Sequence, residues 1–348
     1  MAFTTINKSS DYFVTNLWTG NDTAQTITGI PFAPDFVWIK NRSAAESHTL
    51  VNTVIGANNF LKSNAASANN TNSEFLKSFT SDGYTLGNAD EVNNGSNNIV
   101  GWNWKANGQG SSNTDGSINT TYTSANTTSG FSIVQYTGTG ANATVGHGLG
   151  ISPKMIILKQ TNTSKDWMIY HKYTNPNGTG SQYYLHLNSS DGKASNATMW
   201  QNTDPTSSLF SLGSSSNVNG SSDTYIAYCF AEVQGYSKIS SYVGNGNVDG
   251  SFIHTGFKPA YVIAKRTDGA SNWNQFDNKR FGFNVKNPLL YPNLTNAEAD
   301  DVFIDLLSNG FKWRTTNGDI NASGGSYIYM AFAEAPLVGT NNVPANAR

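Results

Sequence analysis

The chain has 348 residues, a formal net charge of −2 and only 13% charged residues, about half the ~25% usual in soluble domains. A near-neutral chain without a basic excess carries no electrostatic footprint for nucleic acid or for an anionic membrane surface. One cysteine, Cys229, excludes an internal disulfide framework, while 37% hydrophobic and 12% aromatic residues suffice for sizeable cores.

Asn, Ser, Thr and Gly stand where charge is missing, a composition that favours turns over helix and predicts short strands joined by polar loops. The stretch Met1 to Asn7 has no basic region followed by an apolar run, so no secretory signal is expected. No apolar stretch approaches the ~20 residues that cross a bilayer, so no membrane insertion is expected either.

In chain order, Trp18-Thr-Gly-Asn-Asp22 precedes Pro34-Asp-Phe-Val-Trp-Ile-Lys40, a predicted buried strand, and His48 opens a second apolar run. Gly83-Tyr84 starts a late strand and Ile99-Val-Gly-Trp-Asn-Trp104 closes the series. The same order then recurs. Tyr136-Thr-Gly-Thr-Gly140, Pro153 to Lys159, Trp167, Leu209-Phe210 and Tyr225 to Phe230 form a second series. A third contains Tyr242-Val-Gly-Asn-Gly246, Pro259 to Lys265, Trp273, Gly310-Phe311 and Tyr327 to Phe332. Read with period two, the closing strands put Val100, Trp102 and Trp104, then Ile226, Tyr228 and Phe230, then Ile328, Met330 and Phe332 on one bulky face. Gly101 and Asn103, Ala227 and Cys229, and Ala331 lie on a lean face. Cys229 thereby reads as a small buried hydrophobe.

The expected fold is all-β: three tandem antiparallel β-sandwich or jelly-roll-like repeats of about 100 residues each. Each is expected to close its own two-layered core on its bulky face. The units run 1–106 with an N-terminal arm, 130–234 and 235–336. Residues 107–129, rich in Gly, Ser and Thr, read as a flexible or extended linker, and 337–348 as a tail that docks or stays disordered. One helix candidate spans Asn296 to Leu307. Lys40, Lys159 and Lys265 are expected where buried strands emerge into solvent.

The segments Pro34 to Lys40, Tyr225 to Glu232 and Tyr327 to Glu334 resemble a module of virion proteins from short-tailed bacteriophages of marine bacteria, with cyanobacterial and pelagic hosts. The resemblance covers about residues 10–340. It implies a tail fibre or surface appendage that attaches to the host, assembled in the host cytoplasm with other virion proteins. By the same analogy it implies a homo-oligomer, with a trimer favoured. A capsid-bound decoration or assembly protein is the alternative, and a glycan-degrading tailspike a third reading. The resemblance brings no catalytic residues.

The residues themselves point away from an enzyme and from a cofactor. None of the five histidines, His48, His147, His171, His186 and His254, has a partner at metal-ligand spacing. The glycine-rich Gly138-Thr-Gly140 and Gly146 to Gly150 precede a strand and read as turns, since a phosphate cradle opens a helix. Asp166, Asp204, Asp223, Asp268, Asp277, Asp300, Asp301, Asp305 and Asp319 are scattered, so no acid pair for glycoside hydrolysis stands out. Glu232 and Glu334 follow their closing strands and read as structural. Asn245, Asn247 and Asp249 match the first half of an EF-hand loop, but Gly256 stands where a bidentate Glu is needed; a hairpin turn is expected, with a weak calcium site as the residual candidate. For a host-surface glycan, which is held by aromatic faces and amides, the candidates are Trp167, Tyr170, Trp200, Trp273 and Trp313. Core packing is the competing role for each of them.

Overall fold

The computed structural model describes residues 4–175, 179–281, 284, 288–300 and 303–336. The expected tail 337–348 and Asp301 lie outside the described residues. The fold is all-β, and its strands pair antiparallel. Three main sheets follow one another along the chain. The first contains β1 (Phe13–Thr19), β2 (Phe36–Asn41), β3 (Thr49–Asn52) and β4 (Asn98–Trp104) in the order β1-β4-β2-β3. The second has β5 (Tyr122–Asn126), β6 (Phe131–Thr137), β7 (Pro153–Gln160), β8 (Met168–His171), β9 (Tyr183–His186), β10 (Ala194–Ser195) and β11 (Thr224–Ala231), in the order β5-β6-β11-β7-β8-β9-β10. The third has β12 (Ser237–Val243), β13 (Phe257–Arg266), β14 (Trp273–Asp277) and β15 (Ser326–Pro336), in the order β12-β15-β13-β14. The closing strands β4, β11 and β15 are central, and Trp38↔Trp102, Ile157↔Tyr228 and Ile263↔Met330 stand opposite one another in matching registers.

A smaller sheet covers one face of each main sheet. Gly83–Leu86 pairs with Gln25–Ile27 and Leu76–Thr80, Leu209–Leu212 with Ala143–Gly146, and Gly310–Trp313 with Phe252–His254 and Ile304–Leu307. The covered face is the lean one. Ala227 and Cys229 share a core with Phe210 and Leu212, Ala331 with Phe311 and Trp313, and Val37 and Ile39 with Tyr84 and Leu86. Space decides this side: a Cβ on Gly101 would lie 2.6 Å from Tyr84 Oη and 2.9 Å from the Trp18 ring.

The bulky faces turn the other way, which corrects the expectation that each stretch closes its own core with them. Trp102, Trp104, Tyr228, Phe230, Met330 and Phe332 belong to one continuous core shared by all three main sheets. At its centre Trp104, Phe230 and Phe332 meet in a triangle, with ring centroids 5.8 to 6.3 Å apart. Burying aromatic side chains of this size is the largest hydrophobic contribution a core can make. No sheet in isolation could bury its bulky face.

Two further expectations change. Residues 107–129 are not a linker: β5 pairs with β6 along Tyr122–Asn126, and Ser111 bridges Thr123. Ile118 is buried in the second stretch's core, an apolar anchor that the Gly/Ser/Thr composition concealed. Over its described residues the helix candidate from Asn296 to Leu307 is not helical: Ala299 bridges Leu289 and Ile304–Leu307 is a strand paired with Gly310–Trp313. There Ile304 and Leu306 alternate with half-buried neighbours, a period-two pattern that overrides the weak helix propensity of the run.

Candidate functional site

All five aromatic candidates are buried to 2% exposure or less, so none offers a ring face to a sugar. Tyr170 and Trp200 meet at 6.0 Å inside one core, and Trp313 packs on Phe276 and Phe311 in another. Trp167 and Trp273 have a different task. The Trp167 indole donates to the Lys62 carbonyl at 2.9 Å, and the Trp273 indole to the His186 carbonyl at 2.8 Å. Each bond crosses from one main sheet's stretch to the preceding one. His48 occupies the corresponding place in the first stretch, and its Nε2 meets the Tyr291 carbonyl at 3.1 Å. The backbone amides of His48, Trp167 and Trp273 donate to the side-chain oxygens of Asn64, Asn188 and Asn293. The three seams therefore run head to tail and close on themselves.

The three lysines are buried instead of leading into solvent, and two of them reach across a seam. Lys40, Lys159 and Lys265 are fully buried. Lys159 Nζ donates to the carbonyls of Gln160, Lys165 and Ala66, the last in the neighbouring stretch. Lys265 Nζ donates to Arg266 and, across the next seam, to Ser190; Lys40 Nζ donates to Asn41 and Ala44. Burial brings all three down to about 8. Hydropathy alone cannot reveal such lysines, because the acceptors are main-chain carbonyls, which leave no trace in residue type.

The seam between the first and third stretches holds the densest charge. Arg280 donates to Asp277 at 2.6 Å and Glu298 at 2.9 Å, and Arg42 reaches both oxygens of Glu298 at 2.8 and 2.9 Å. The Trp102 indole donates to Asp277 at 3.1 Å, and its ring lies under Arg280. Both carboxylates are thus committed to guanidinium groups, an arrangement of structural ion pairing and not of acid catalysis.

The Tyr-x-Gly-x-Gly segments are turns clamped by asparagine. A four-residue helix precedes each closing strand and ends at Asn93, Asn219 or Asn321. Each buried amide accepts from the loop it faces (Asn21, Thr139 and Asn245 N) and donates to carbonyls on both sides of the turn. Trp18 Nε1, Tyr136 OH and Tyr242 OH donate to the carbonyls of Val92, Val218 and Ile320 in those helices. Asp22 departs from the glycine of the other two loops yet keeps their left-handed backbone, with φ 56° against 75° at Gly140 and 66° at Gly246.

That clamp explains the calcium-like loop. The side-chain oxygens of Asn245 and Asn247 accept the amides of Asn247 and Asp249, and Asp249 is ion-paired with Lys312, so the oxygens are spent on turns and a lysine. Among the described residues no group of three or more His, Cys, Asp or Glu is placed to hold a metal. Other candidate carboxylates have partners too: Asp204 with Lys172, Asp268 with Arg266, Asp305 with Arg314, Asp166 with Asn188, Asp223 with Asn162 and Asp319 with Ser271. Burial pushes the Cys229 thiol up to about 12, which leaves it unreactive.

A family model described as a domain of unknown function, DUF7483, matches residues 8–336. No curated protein matches the chain.

Proposed function

The chain belongs to the DUF7483 family, and from that premise we propose that it is three copies of one unit closed into a ring, serving as a non-enzymatic structural component of a bacteriophage particle. In this reading it is a fibre or surface appendage that contacts the host envelope. The observation that carries it is the use of the buried polar groups: Lys159, Lys265, Trp167, Trp273, His48 and the Arg280 cluster join sheets to one another. A chain that spends its buried polarity on its own seams gains durability without metal or disulfide.

The seams are satisfied within one chain, so the expected homotrimer would be built through outer surfaces. Particles labelled at the C-terminus and viewed by electron microscopy test the placement. Label at tail tips supports attachment, and label over the shell replaces it with the decoration reading. Sedimentation of the purified 37.5 kDa chain tests the trimer.

A further inference from the structure

The outer edge of β6 is covered by β5, which pairs with it antiparallel from Tyr122↔Gln135 to Asn126↔Phe131. Strands β1 and β12 hold the corresponding place in their own sheets. Each pairs with its closing strand on one side and, among the described residues, with no strand on the other. Both show the same alternating burial, and Leu17 on β1 is 43% exposed. An uncovered edge presents unpaired amides and carbonyls to any extended chain.

One glycine reports whether the groove beside each edge is filled. Gly29, Gly148 and Gly256 all have left-handed backbones, with φ 83°, 69° and 84°. A Cβ on Gly148 would lie 3.1 Å from the side chains of both Thr123 and Ala125, the residues of β5 that occupy its groove. At Gly29 a Cβ would meet nothing within 4 Å, and at Gly256 only the His254 ring at 3.8 Å. Among the described residues, nothing takes the place of β5 beside the other two edges.

Those two grooves differ in their guard. Beside β12, Glu232 accepts the Ile239 amide at 3.3 Å and pairs with Lys154 and Lys238 at 3.0 and 2.9 Å. A carboxylate thus sits on the strand edge, as edge-protecting charges do. Beside β1, Glu334 pairs with Lys258 at 2.7 Å at the rim of a cavity of about 200 Å³ lined by Phe13, Val14, Gly29, Pro31, Ala260 and Ala333, against a cavity of about 370 Å³ bordered by Glu232, Lys238 and Gly256 beside β12. In the filled groove the same chain position is Ala106, whose carbonyl accepts from Asn126 of β5.

We propose that the free edge of β1 is an acceptor for an extended strand of a partner polypeptide bearing small Ser, Thr and Ala side chains, paired antiparallel as β5 pairs with β6. Main-chain hydrogen bonds supply the affinity and the glycine-floored groove selects small side chains. At the β12 edge Glu232 already occupies the Ile239 amide that an added strand would use. This inference does not depend on where on a particle the protein sits.

The probe is a synthetic peptide with the sequence of residues 121–127, Thr-Tyr-Thr-Ser-Ala-Asn-Thr, titrated to millimolar concentration into the full chain while amide hydrogen exchange is followed. The expected result is exchange slowed about tenfold or more on β1 and unchanged on β12. Gly29→Asn keeps a residue tolerant of the left-handed region and fills the open groove, so it weakens that protection about tenfold while the protein stays folded. Glu232→Ala extends the protection to β12. Unchanged exchange on β1, altered exchange confined to β6, undiminished protection in Gly29→Asn, or a β12 still unprotected in Glu232→Ala overturns the assignment.

Discussion

Trp38 Nε1 donates to His48 Nδ1 at 2.9 Å, and because an indole nitrogen only donates, the imidazole must carry its proton on Nε2. That proton points at the Tyr291 carbonyl across the seam between the first and third stretches. One neutral imidazole therefore serves as acceptor inside its own sheet and donor to the next, where the two corresponding sites use a tryptophan.

Acid should loosen this arrangement. Burial holds His48 well below its ordinary value of 6.5 and His171 at about 3. The unfolded chain takes up these protons as pH falls below 6.5 while the folded chain does not, so stability present above 6.5 is lost progressively below it. Denaturant midpoints measured from pH 7 to pH 4 should fall. His48→Phe should lower stability at pH 7 by about 2–4 kcal/mol through two lost hydrogen bonds and flatten the acid slope. A slope unchanged in that variant would exclude His48 as its source.

The buried lysines act at the other end of the scale. Their folded values of about 8 lie below the ordinary 10.5, so between pH 8 and pH 10 the unfolded chain holds protons that the fold has released. Stability should rise across that window. Above pH 10 the sign reverses, because burial pushes Tyr225 up to about 12 and holds Tyr136 and Tyr242 well above their ordinary value of 10.0. Thermal midpoints should peak at about pH 10, and Lys159→Met should remove about a third of the rise.

Removing Arg280 should be costly. Its side chain is wholly buried between Asp277 and Glu298, so Arg280→Met leaves two carboxylates without their shared partner, a loss of about 3–5 kcal/mol. Arg42→Ala, which leaves Arg280 on Glu298, should cost less, about 1.5–3 kcal/mol for its charged hydrogen bonds. Urea unfolding of both variants would show the ordering, and equal costs would contradict it.

Trp104→Ala should cost about 3–5 kcal/mol, since the indole touches Phe13, Phe36, Phe230, Tyr261 and Phe332 from all three main sheets. Because the core is common, the variant should unfold in one transition. Separate melting of the three stretches would show them to be energetically independent.

Limited proteolysis should spare residues 107–129. Asp35 accepts the amides of Ala106 and Gly108, Thr53 donates to the Gly108 carbonyl, and β5 holds the far end. Cleavage there under native conditions, before any other site, would restore the linker.

Strand positions were legible because alternation is a local property: Ile99 to Trp104 reads as a pleated strand from its own residues. Which face is inner was not legible, since both faces of β4 are buried and composition marked only one as bulky. The aromatic candidates failed for a related reason. Trp167 sits beside polar loops in the chain, yet its partner, the Lys62 carbonyl, lies 105 residues away. Glu232 and Glu334 were visible as acids that follow their closing strands, but their place beside a strand edge required seeing Ala106 meet β5 at the same chain position.

By itself the sequence determined an all-β chain, its closing strands and the turns around Gly138 and Gly244, because period two and backbone stereochemistry are fixed by neighbouring residues. Only the tertiary structure decided that the bulky faces converge, that three lysines are buried, and that β5 covers the edge of β6. Those outcomes depend on which main-chain carbonyls and rings arrive from distant parts of the chain, and residue type carries no record of that.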